Sequence, residues 1–192
     1  MSKVIAGELS GGAISRAISI LENEVADTNN LKLAINSFIT GTTSTLKGPA
    51  YDAARAKIET YISVLDTRAN LASTLASAIS SATTTMSNYM EGYSELDDAK
   101  LPEIEAEINS IKASIDQLFL SSNNSTGKDT QDYGSLIASY EAQLEELEKL
   151  RDKLSGLAGA DASAYGQINS TNSNIASYSS GIASTNASSI SI

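Results

Sequence analysis

A seven-residue repeat runs through the second quarter of the chain. Tyr51, Ile58, Leu65, Ala72, Ile79, Met86 and Tyr93 recur at that interval, and Arg55, Ile62, Ala69, Ala76, Thr83, Met90 and Asp97 each follow four residues later. Such a register lays one seam along a helix for a facing helix to fill. Gly48-Pro49 precedes it, and proline suits a first helical turn, where its missing N–H costs nothing. The spacing predicts one helix over 49–97, roughly 70 Å long at 1.5 Å per residue. A compact domain of this size is only about 35 Å across, so the sequence points to a rod.

The flanking segments carry the same periodicity. Ile14, Ile18, Leu21, Val25, Thr28, Ile35 and Ile39 step by threes and fours with Lys32 interrupting, which predicts a helix over 3–40. Gly11-Gly12 loosens its start, and Gly41 with the Thr/Ser run to Thr45 ends it. Residues 41–48 form the turn, and two long helices joined by a short link fold back as an antiparallel hairpin. Further on, Ile104, Ile108, Ile111, Ile115 and Leu118 mark a helix over 102–120. Ser121–Asp132, dense in Ser, Asn, Asp and Gly, reads as a loop. Ile137, Tyr140, Leu144, Leu147, Leu150, Leu154 and Leu157 mark a helix over 133–157, with Glu145–Lys149 as an i,i+4 pair. The tail over 159–188 is rich in Ser and Ala. It keeps Ile168, Ile175 and Ile182 at heptad spacing, interleaved with Thr171, Tyr178 and Thr185, so it reads as helical too. The expected architecture is all-α: a single elongated antiparallel helical hairpin or bundle over 1–192 with a long central helix.

Composition narrows the chemistry. The chain has no His, Cys or Trp, which removes imidazole bases, thiol nucleophiles, disulfides and the Cys/His sites of zinc. No Gly-Lys-Ser/Thr phosphate loop and no Asp-x-Asp-x-Asp-Gly calcium loop occurs. Glu103, Glu105 and Glu107 alternate at spacing two, which does not bring carboxylates together on a helix. The expectation is a non-enzyme with no cofactor and no metal. No apolar run is long enough to span a membrane, and the first residues, broken by Glu8, Arg16 and Glu22, do not read as a secretory leader. The net charge of -10 concentrates in residues 91–153, with fifteen acids against six bases, which argues against a nucleic-acid partner. The Tyr and Met residues on the central seam serve either as internal core or as an intermolecular stripe. Ile58, Leu65, Ile79, Met86 and Met90 are the seam candidates for partner binding.

One arrangement resembles a known family. Helix, turn and second long helix, with Leu46-Lys47-Gly48 at the turn inside Ser44-Thr45-Leu46-Lys47-Gly48-Pro49-Ala50-Tyr51-Asp52-Ala53-Ala54, resembles the LXG domain. Lys57-Ile58-Glu59-Thr60-Tyr61-Ile62 and the Tyr93–Ile115 stretch fit as well. The likeness covers most of the chain in architecture and about 75 residues in detail. LXG domains form the N-terminal part of antibacterial toxins exported by the type VII secretion system of Gram-positive bacteria. The resemblance implies a non-toxic domain that binds small helical partners related to the WXG proteins and presents the complex to the secretion apparatus. It further implies export without a cleaved signal peptide after a cytoplasmic stage. An immunity protein enters only through a toxin domain that would follow. Leu46 would stand where WXG proteins carry Trp, as an apolar anchor burying the turn, with Gly48 allowing the reversal. Tyr93-Ser94-Glu95-Leu96-Asp97 matches the Tyr-x-x-x-Asp/Glu signal of that secretion route. The competing expectation is a self-assembling helical structural or pore-forming protein.

Overall fold

Four long helices and one small strand pair make up residues 2–124 and 130–189, the part of the chain described by a computed structural model. In chain order these are β1 (Lys3–Ile5), α1 (Ala6–Leu9), α2 (Gly12–Thr43), α3 (Pro49–Tyr89), β2 (Glu95–Asp97), α4 (Leu101–Asn124) and α5 (Thr130–Ser189), with a 3-10 turn at Asp98–Lys100 before α4. The fold is all-α. The chain packs as two compact units: Met1–Glu8 with Ser87–Ala162, and Leu9–Met86 with Ser163–Ile192.

In the second unit α2 and α3 form an antiparallel hairpin. The predicted α2 stripe faces inward: Thr28 is buried, and Ile14, Ile18, Leu21, Val25, Ile35 and Ile39 are half-buried. Lys32, which interrupts the stripe, ion-pairs with Asp66 of α3, and Arg68 pairs with Glu24. The α3 heptad positions from Ile58 to Met86 are likewise buried or half-buried. A second stripe, Leu71, Leu75, Ala78 and Ala82, is also covered. It lies about 100° round the helix from the first, at 3.6 residues per turn. One stripe suffices for a hairpin, whereas two imply a third helix, which is the C-terminal part of α5. There the Tyr178 hydroxyl donates to the Val64 carbonyl at 2.5 Å, and Ala164 and Thr171 are buried.

In the first unit α4 packs antiparallel to the N-terminal part of α5. Ile111, Ile115 and Ile137 form a core with Leu118, Tyr140, Leu144 and Leu147 against it. Lys112 pairs with Glu148 across the helices at 2.8 Å. The end of α3 is clipped to α5. The Tyr89 hydroxyl donates to the Lys153 carbonyl, while Lys153 Nζ donates to the Tyr89 carbonyl at 2.7 Å and sits 4.8 Å from the Tyr89 ring centre. Burial raises the Tyr89 pKa above its ordinary value.

Several boundaries differ from expectation. The helix predicted over 3–40 begins instead with a strand. β-branched Val4 and Ile5 pair with Leu96 and Glu95, and the long helix starts only at Gly12, after Gly11 in an extended conformation. The helix predicted over 49–97 stops at Tyr89, because Gly92 turns the chain at φ +85° and the next residues enter β2. Both ends of the predicted loop over 121–132 are helical: α4 runs to Asn124, with Ser121 Oγ donating to the Gln117 carbonyl at 2.9 Å, and α5 starts at Thr130. Residues 125–129 of that loop lie outside the described residues. The helix predicted over 133–157 and the tail over 159–188 are one continuous helix.

Candidate interaction site

At the end of α2, Thr42 and Thr43 donate to the Phe38 and Ile39 carbonyls at 2.8 and 2.7 Å. The last carbonyls of a helix lack intrahelical partners. At this end Leu46 N donates to the Thr42 carbonyl at 2.9 Å, and Arg55 of α3 adds Nη1 bonds to the Leu46 carbonyl, just past α2, at 2.9 Å and to the Thr42 carbonyl at 3.3 Å. Asp52 holds the other side of the guanidinium. Gly48 takes φ +124° and its carbonyl accepts from Asp52 N at 3.0 Å, so Pro49 opens α3. Leu46 is 37% exposed, and the Arg55 guanidinium bonds the carbonyls at the reversal. The sequence signal was present, since Arg55 stands at the head of a row that continues with Ile62, Ala69 and Ala76.

The five seam candidates divide. Leu65, Met86 and Met90 are buried and form core, while Ile58 and Ile79 are half-buried. The apolar surface left open lies elsewhere. On α2, Ile20, Leu31 and Phe38 are 67%, 51% and 50% exposed. Their spacings of eleven and seven residues put them on one line of the helix, about 100° from its buried stripe. In the sequence the denser stripe masks this sparse one. Beside the buried stripe, a groove of about 680 Å³ opens between α2 and α3, edged by Ile18, Leu21 and Val25 on one wall and Ser73, Ser77 and Ser80 on the other. Small hydroxyl side chains leave that space where larger ones would close it.

The Tyr93–Asp97 segment follows the Gly92 turn. Tyr93 is half-buried, and its N–H donates to the Met90 carbonyl at 2.8 Å. Asp97 ends β2 and caps the 3-10 turn, its Oδ1 accepting from Ala99 N at 3.0 Å. Its carboxylate therefore has a structural task within the chain.

Charged groups elsewhere form surface pairs. Lys149 bridges Glu145 and Glu146, each at 2.9 Å, which raises its pKa through hydrogen bonds to Glu146 and Glu145. The first of these is the pair expected from spacing. Among the described residues no group of three or more acidic side chains is placed to hold a metal ion, and no helix is long and apolar enough to cross a membrane. No protein-family model, curated protein or solved structure matches the chain.

Proposed function

We propose that this chain is a non-catalytic targeting and interaction domain of an antibacterial toxin exported by a type VII secretion system, as its resemblance to LXG domains implies. It binds small helical WXG-like partners, and the complex is the form that the secretion apparatus takes from the cytoplasm. The observation that carries this reading is the helical hairpin whose reversal holds Leu46-Lys47-Gly48, with Gly48 in a conformation suited to glycine. The exposed side chains of Ile20, Leu31 and Phe38 support it, because apolar side chains recurring on one line of a helix suit a docking helix.

Export into the medium of a Gram-positive host carrying this secretion system tests the reading. Leu46→Asp is the informative variant, since an exposed position tolerates the change without unfolding. Leu46→Asp and Gly48→Asp should lower export severalfold, while Lys47→Ala leaves it unchanged. Equal export by all three would remove the motif from the account. Rods or rings that grow with concentration would favour self-assembly instead.

A further inference from the structure

The Tyr93–Asp97 segment is covered by the first residues of the chain. β1 pairs antiparallel with β2 in the register Lys3 to Asp97, Val4 to Leu96 and Ile5 to Glu95. The ladder extends beyond both strands. Ala6 N donates to the Ser94 carbonyl at 3.0 Å and Asp98 N to the Ser2 carbonyl at 3.1 Å. Ser2 N returns a bond to Asp98 Oδ2 at 2.8 Å. Side chains reinforce the pairing: Lys3 Nζ lies 3.1 Å from Glu95 Oε1, and Ser2 Oγ donates to Asp161 of α5 at 3.4 Å. Leu96, between the two candidate signal residues, is 1% exposed. Backbone groups of Ser94, Leu96 and Asp98 are thus occupied by this chain.

The cover is weak by construction. Two three-residue strands are marginal as a sheet, and the Lys3–Glu95 pair is exposed and worth little. Pairings this short belong to the regions of a protein that open locally at low cost. Once β1 leaves, the ladder edge of β2 is free for an extended peptide to occupy.

We propose that Ser2–Ile5 is a detachable strap, which holds Tyr93–Asp97 in a closed pairing and must peel away before that segment is recognised during export. The proposal rests on the reading of Tyr93–Asp97 as an export signal, and the experiment separates the two. Ser2/Asp98 and Ala6/Ser94 are bonded pairs, so the alternation of an antiparallel ladder makes Val4/Leu96 the bonded pair between them. Val4→Pro removes that donor. Lys3→Glu is the milder variant, setting like charge against Glu95.

Both variants of the full chain, read by backbone hydrogen exchange, should speed exchange of residues 94–98 by about tenfold or more with the helices still protected. Both should be exported at least as well as the wild type, while Tyr93→Ala is not. Unchanged exchange at 94–98 would overturn the strap, and so would export falling to the Tyr93→Ala level with the helices intact. Normal export of Tyr93→Ala would overturn the signal reading, and with it the gating role, whatever the exchange data show of the strap itself.

Discussion

Gly48 sits at φ +124°, and a Cβ at that position would meet no atom within 4 Å. The demand for glycine there is conformational. Gly48→Ala should cost about 1–2 kcal/mol in urea denaturation, and Leu46→Ala no more than about 0.5 kcal/mol; the reverse order would mean that Leu46 anchors the turn after all. Gly156 is the opposite case. A Cβ there would stand 2.6 Å from the Tyr89 hydroxyl, so Gly156→Ala should push Tyr89 off the Lys153 carbonyl at about 1–2 kcal/mol. Tyr89→Phe removes the clashing atom, so the double variant should be less destabilised than the sum of the singles. Strict additivity would show that the two do not meet. Titration of the strap follows from the Lys3–Glu95 pair, in which Glu95 also meets Lys100 at 3.5 Å. Hydrogen bonding and then Coulomb attraction raise the Lys3 pKa and lower that of Glu95. The Glu95 part is present above the ordinary carboxylate value of about 4.3 and fades as pH falls through the lowered one; the Lys3 part is present below about 10.4 and fades as pH rises through the raised one. Methyl shifts of Val4 and Ile5 followed by NMR should be flat across neutral pH and move only at the two extremes. A transition near neutrality would implicate another group.

The longest helix shows where periodicity was legible and where it was not. In α5 the covered positions Ile137, Tyr140, Leu144, Leu147, Leu150, Leu154, Leu157, Asp161, Ala164, Ile168, Thr171, Ile175 and Tyr178 step by threes and fours throughout, with one repeated three at Leu150. The change to a Ser- and Ala-rich composition near Gly159 hides the continuity of this run in the sequence. Asp161 holds the Ser2 hydroxyl and Ala164 is buried, so both belong to the seam. Ser163→Pro tests the continuity: exposed in mid-helix, it should cost about 3 kcal/mol, whereas a loop at this point would tolerate proline. The hairpin of α2 and α3 was legible because its apolar rows are dense. The end of α3 was not, since Tyr93 and Asp97 continue the heptad count past a glycine that had already turned the chain. The strand pair was hidden for a related reason: three residues are too few for an alternation to register.

Charge divides sharply between the two units. By sequence, Met1–Glu8 with Ser87–Ala162 holds seventeen acids and seven bases, the whole net charge of -10, and the other unit holds six of each. A helical partner seated on Ile20, Leu31 and Phe38 meets the neutral unit, so its affinity should change little between about 0.05 and 0.5 M salt. A basic partner drawn to the acidic unit would weaken over that range as screening shortens the reach of the charges. The most direct measurement is the mass of the full chain by light scattering, after co-expression with the small helical proteins encoded beside its gene. The account predicts a complex of fixed stoichiometry that Leu31→Asp with Phe38→Asp disperses while the chain stays folded. A chain that stays a lone monomer beside those proteins, or a complex indifferent to both substitutions, would contradict it.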